Sequence, residues 1–112
     1  MHELSVVQSF VEIADRAART NGAKRVKYVT LEVGEMTGVI PKYMLDYYPD
    51  VCEGTLLEGS ELRIEEVKAL AFCKGCGNTY SPVEHDRCPA CAGTKREIIQ
   101  GNSLMLKELA FI

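Results

Sequence analysis

The chain has 112 residues, 46% hydrophobic and 26% charged, a profile of one compact soluble domain with room for a small appendage and not of a large multidomain enzyme. Thirteen Lys and Arg against sixteen Asp and Glu leave a net charge of -3, which argues against a general attraction to nucleic acid or anionic membranes. No apolar run approaches the roughly 18 to 20 residues that cross a bilayer, and the start lacks the basic-then-apolar order of an export signal, so the expected compartment is the cytoplasm.

Ser5 is a suitable N-cap, and beyond it Val6, Val7, Phe10, Val11, Ala14, Ala17 and Ala18 recur at three- and four-residue steps, predicting an amphipathic helix. Glu12 with Arg16 and Asp15 with Arg19 stand four apart in the favourable order, and Asn21-Gly22 supplies a helix stop. From Arg25 to Val33 the period falls to two and the residues turn β-branched and aromatic, which predicts a strand. Pro41 is placed to open a second helix with Met44, Leu45, Tyr48, Val51 and Cys52 as its buried stripe. Pro49 is expected to bend that helix or split it in two. A second strand is expected over Leu62 to Phe72, with a bulge where the alternation slips at Glu65-Glu66. Ser103 to Ile112 alternates again and is expected to rejoin the first sheet.

Between Cys73 and Gly101, apart from Cys and Ala, only Tyr80, Val83, Ile98 and Ile99 are sizeable apolar groups, too few to offset chain entropy without a staple. The staple is Cys73-Lys-Gly-Cys76 and Cys88-Pro-Ala-Cys91, two Cys-x-x-Cys turns separated by eleven residues. That spacing lets four thiolates face one tetrahedral ion, and Gly77 lets backbone N–H groups turn toward the sulfurs. A closed structural zinc site is the expected reading; a redox dithiol and an iron centre are the alternatives. The iron alternative rests on a likeness of the two turns to the knuckles of rubredoxin. Rubredoxins, however, wrap their iron in aromatic side chains, and this stretch has no Trp and one Tyr. The expected architecture is α+β, with two helices packed on a small mainly antiparallel sheet (1–72 plus 102–112) and an inserted zinc-ribbon-like module (73–101). His85 reads as an exposed loop residue, not a ligand, and Cys52 as a small buried hydrophobe.

At the N-terminus, the α-amine of Met1, the peptide nitrogen of His2 and its imidazole can close fused chelate rings on one ion. The backbone amide or carboxylate of Glu3 can complete the set. Such nitrogen donors suit square-planar nickel(II) or copper(II), whereas zinc prefers a tetrahedron and magnesium or calcium prefers oxygen. Amine and imidazole bind only when unprotonated, so affinity is expected to fall below neutral pH.

Met1-His2-Glu3 opening a helix, Val33-Gly34-Glu35 at a strand end, Gly54-Thr55 ahead of Leu62-Arg63-Ile64, and two late Cys-x-x-Cys pairs together resemble the HypA/HybF family of nickel-insertion accessory proteins for [NiFe]-hydrogenase. The likeness runs nearly end to end. It implies a nickel domain with Met1, His2 and Glu3 as nickel ligands, and a zinc domain with structural zinc on Cys73, Cys76, Cys88 and Cys91. It further implies Ni(II) as cargo, the GTPase HypB and the hydrogenase large subunit as partners and, in some bacteria, a link to urease accessory proteins. Some members place a carboxylate just before the second helix, where this chain has Thr37-Gly38-Val39-Ile40. Apart from the resemblance, a zinc-ribbon interaction module and a rubredoxin-like electron carrier stay open. No Ser-His-Asp, paired-carboxylate or phosphate-cradling pattern suggests an enzyme. The expected form is a monomer or a homodimer, the latter through exchange of elements near Phe72 and Gly101.

Overall fold

The computed structural model describes residues 2–112. In chain order the elements are α1 (Glu3–Thr20), β1 (Val26–Gly34), a 3-10 turn (Glu35–Thr37), α2 (Pro41–Cys52), β2 (Glu61–Val67), β3 (Leu70–Cys73), β4 (Thr79–Tyr80), β5 (Arg96–Gln100) and β6 (Leu104–Phe111). They form two three-stranded sheets, ordered β2-β1-β6 and β4-β3-β5. The α+β class with two helices is as expected, and β6 does return beside β1. No helix among the described residues is long and apolar enough to cross a membrane.

The chain gathers into two compact units. One comprises Met1–Glu32, Val39–Glu65 and Met105–Ile112; the other comprises Val33–Gly38 and Glu66–Leu104. In the first, α1 buries Val7, Phe10, Val11, Ala14 and Ala18, the i, i+3, i+4 stripe its sequence dictates. Phe10 stacks on Tyr48 of α2 at 5.9 Å between ring centroids. Val29 and Leu31 of β1, with Leu57 and Leu62, complete the apolar interior. Tyr48 keeps its hydroxyl satisfied on Ser60 at 2.7 Å, and Cys52 is buried beside these groups as a small apolar side chain.

Three local expectations are corrected. α1 starts at Glu3 with His2 as N-cap, not after Ser5. The Ser5 hydroxyl donates back to the His2 carbonyl at 2.9 Å from inside the first turn, so it does not cap. Of the two forms expected for α2, the division into two short helices does not occur: α2 is one helix from Pro41 to Cys52 with Pro49 inside it. The bond that Pro49 removes falls close to the C-terminal end, at the carbonyl of the exposed Leu45, where water can replace it. The buried stripe is Met44, Tyr48 and Cys52, without Leu45, which is exposed, or Val51, which is half-buried.

The third correction concerns the long second strand, which is two strands in different sheets, interrupted at Lys68-Ala69. Gly101, at φ +84°, lies so close that an added Cβ would sit 2.4 Å from the Ala69 Cα. The Gln100 amide donates to the Lys68 carbonyl at 2.9 Å, and the Glu35 carboxylate accepts the Ala69 N–H at 2.8 Å. These contacts end β2 and turn the chain. The register irregularity lies at Leu70/Ala71, not at Glu65-Glu66.

Two predictions follow from this packing. Gly101→Ala combines a left-handed backbone with a main-chain collision, so it is expected to cost more than about 2 kcal/mol in urea denaturation. Asp15 links α1 to the loop before β2 by accepting the Leu56 N–H at 2.9 Å and the Arg19 Nε at 3.0 Å. Burial alone would raise its carboxyl, but the Leu56 N–H and the Arg19 guanidinium bring it below the ordinary value. The stability it contributes is present above the unfolded carboxyl pKa and is lost as pH falls through the lowered folded value. Relative to wild type, Asp15→Asn should be destabilised at pH 7, and the gap should shrink as pH drops below about 4.

Candidate functional site

β3 delivers Cys73 as its last residue, β4 follows the first turn, and the second turn, Cys88 to Cys91, precedes β5. The two turns are built alike. The Cys73 N–H donates to the Asn78 carbonyl at 2.8 Å and the Gly77 N–H to the Cys73 carbonyl at 2.9 Å. In the second turn the Cys88 N–H donates to the Gly93 carbonyl at 3.1 Å and the Ala92 N–H to the Cys88 carbonyl at 2.7 Å. Gly77 and Ala92 thus occupy matching positions, both at positive φ, +79° and +60°. Glycine adopts that conformation freely and alanine does so at a cost.

Paired in this way, the turns bring the four Sγ atoms of Cys73, Cys76, Cys88 and Cys91 within 4.8 Å of one another. Cys73 lies 3.6 Å from Cys91, and Cys76 lies 3.6 Å from Cys88. A tetrahedral ion with four sulfurs at about 2.3 Å has sulfur–sulfur edges of about 3.8 Å, so this donor set fits one such ion. Cys73 and Cys88 are buried while Cys76 and Cys91 reach the surface. Ala71, Tyr80 and Ile98 pack around the buried pair, giving the second unit its small apolar interior.

The local electrostatics explain why a cation belongs here. Burial would push the Cys88 thiol up, yet the N–H groups of Cys91 and Ala90, the Cys76 thiol and the Asn78 amide bring it down to about 6. Cys73 is also lowered, chiefly by the Cys76 N–H. Cys91 goes the other way: although the Gly93 N–H favours its thiolate, the neighbouring Cys73 and Cys76 sulfurs push it up to about 12. Main-chain donors therefore support two thiolates but not four, and a bound metal cation would supply the missing positive charge. Asn78, whose amide reaches the Cys88 sulfur at 3.8 Å, and Gly93, whose added Cβ would meet the Cys91 sulfur at 3.2 Å, support the site without being ligands. Neither was identified from the sequence; the Gly-Asn and Ala-Gly that follow the two pairs were the available signal. His85 is exposed, with its N–H on the Ser81 carbonyl at 3.1 Å, and it is not gathered with the cysteines.

At the other candidate site, His2 is exposed and directly precedes α1. Glu3 is 6% exposed, and its carboxylate accepts the Ile40 N–H at 2.9 Å. An open hollow of about 300 Å³ beside them is lined by His2, Glu3, Leu4, Ser5, Gln8 and Tyr47. Met1, expected to provide the terminal amine, lies outside the described residues.

An α+β chain that carries a four-thiolate site and a histidine ahead of its first helix has the makings of a metal-handling accessory protein. The family model described as hydrogenase/urease nickel incorporation, metallochaperone, hypA matches residues 1–111. Hydrogenase maturation factor HypA of Geobacter metallireducens is 40% identical over 111 residues, 97% of each chain. Hydrogenase maturation factor HybF of Salmonella typhimurium is 37% identical over 110 residues, again 97% of each. The solution structure of the Ni metallochaperone HypA from Helicobacter pylori superposes with a TM-score of 0.72 at 26% identity, covering 100% of this chain and 98% of that one. The chain belongs to the HypA family of hydrogenase maturation factors.

The paired turns yield a direct test. Ala92→Gly removes a left-handed alanine and is expected to stabilise the metal-bound module by about 1 kcal/mol. Gly93→Ala crowds the Cys91 sulfur and should weaken it. Metal release to a chromogenic chelator measures both: slower than wild type for Ala92→Gly and faster for Gly93→Ala.

Proposed function

We propose that this protein is a nickel metallochaperone, a carrier and not an enzyme, that binds Ni(II) as cargo at its N-terminus and helps deliver it to [NiFe]-hydrogenase during maturation. Cargo binds through the Met1 amine, the His2 peptide nitrogen and imidazole, and Glu3. The proposed resident ion is zinc on Cys73, Cys76, Cys88 and Cys91, where it would cross-link the two turns and neutralise their charge; with four protein ligands such a site has no position open for chemistry. The GTPase HypB and the hydrogenase large subunit are the proposed partners, with urease accessory proteins where urease is also matured, and the cytoplasm is the proposed compartment.

The observation that carries this reading is the exposed His2 immediately ahead of a stable helix, in a chain of the HypA family. The two sites are suited to different tasks. Four sulfurs drawn from two interlocked turns hold their ion, while a chain end with few protein ligands can release one to an acceptor. Nitrogen donors in fused five- and six-membered rings favour a planar d8 ion over tetrahedral zinc, which keeps cargo and resident ion apart.

An N-terminal extension of a few residues converts the α-amine to an amide and leaves every side chain in place. Nickel binding by calorimetry is expected to be lost while zinc content stays at one per chain; unchanged nickel affinity would contradict terminal chelation. In the unextended protein, nickel affinity should be lower at pH 5.5 than at pH 8, because both nitrogens must shed protons to bind.

A further inference from the structure

The two edges of the sulfur cluster that join one turn to the other are built differently. Cys73 stands 3.6 Å from Cys91, and Cys76 stands 3.6 Å from Cys88; each pair joins a buried sulfur to an exposed one. Glycines flank the first pair. A Cβ added at Gly75 would lie 3.7 Å from the Cys73 sulfur and 3.8 Å from the Cys91 sulfur, and one added at Gly93 would lie 3.2 Å from Cys91 and 3.7 Å from Cys73. Neither position has a side chain to cover that edge. The second pair has such a cover: the Asn78 amide reaches the Cys88 sulfur at 3.8 Å. The fifth cysteine, Cys52, is buried in the first unit.

We propose that Cys91 is a site of peroxide oxidation and Cys73 its resolving partner, so that one two-electron oxidant opens the four-sulfur site along its glycine-flanked edge. This rests on the proposed zinc site, because a bound ion holds all four sulfurs as thiolates. Access, not proton affinity, then decides which sulfur reacts. In the first step the Cys91 sulfur attacks hydrogen peroxide: an S–O bond forms, the O–O bond breaks and hydroxide leaves, giving the sulfenic acid. In the second, the Cys73 thiolate attacks the Cys91 sulfur, the S–S bond forms, the S–O bond breaks and a second hydroxide leaves. Two thiolates lose two electrons in all, and one peroxide gains them. Two thiolates then remain where a tetrahedral ion needs four ligands, so its grip is lost. The new bond meanwhile keeps the two turns joined, and a small thiol that reduces it restores a site able to reload.

Hydrogen peroxide at one equivalent on zinc-loaded protein tests this by two readouts: zinc captured by a chromogenic chelator, and the disulfide map by mass spectrometry after alkylation of the remaining thiols. The first disulfide is expected between Cys73 and Cys91, formed together with zinc release, with Cys52, Cys76 and Cys88 alkylated. A thiol reductant and fresh zinc should return the starting protein. Gly75 is not at positive φ, and an alanine there sets its Cβ at ordinary contact distance from both sulfurs. Gly75→Ala should therefore keep zinc and, by covering the edge, slow peroxide-driven release about threefold or more. Asn78→Ala uncovers the other edge and should raise the share of Cys76–Cys88 disulfide. A first disulfide within one turn or between Cys76 and Cys88, zinc release with every thiol still free, or an undiminished release rate from zinc-loaded Gly75→Ala would each overturn the inference. Wild-type protein that takes up no zinc is a distinct result, which removes the proposed resident ion and this inference with it.

Discussion

Four cysteine sulfurs within 4.8 Å of one another pose an electrostatic problem that hydrogen bonds solve only halfway. Backbone N–H groups of Cys76, Ala90 and Cys91 draw Cys73 and Cys88 toward the thiolate, while the neighbouring sulfurs push Cys91 up. Only a cation at the centre lets all four sulfurs ionise together. The second unit depends on that, because its interior otherwise amounts to Ala71, Cys73, Tyr80 and Cys88 with Ile98 against them, too little apolar burial to fix the chain by itself. Its remaining rigidity comes from main-chain economy: matched turns at Gly77 and Ala92, and Gly101 packed on Ala69 where the chain leaves β2.

The N-terminal end solves a different problem. Its first unit is held by ordinary packing, with Phe10 on Tyr48 and apolar stripes from α1, α2 and β1. In the proposed function the first residues are the site that loads and unloads. There the Glu3–Ile40 bond ties residue 3 to the start of α2 while His2 is exposed.

Much of this was legible in the sequence because it is local. Cys-x-x-Cys spacing fixes a knuckle within six residues, and the apolar periods of α1 and β1 reflect which face each element buries. Misread features were those decided at a distance. Ser5 has the chemistry of an N-cap, but Glu3 finds its partner 37 residues away, so the helix begins earlier. The break between β2 and β3 is imposed by Gly101 and Gln100, some thirty residues downstream, and no alternation within 62–72 encodes it. Pro49 was weighed as a breaker, yet the bond it removes lies near the end of α2 at an exposed turn, where the loss is small.

The central claim is that two metals sort by donor type, nickel to nitrogen at the chain end and zinc to the four sulfurs. X-ray absorption on protein carrying one equivalent of each tests this most directly. The account predicts a nickel edge with a nitrogen and oxygen shell and no sulfur, together with a zinc edge showing four sulfurs at about 2.3 Å. Sulfur in the nickel shell, or nitrogen replacing sulfur around zinc, would contradict it.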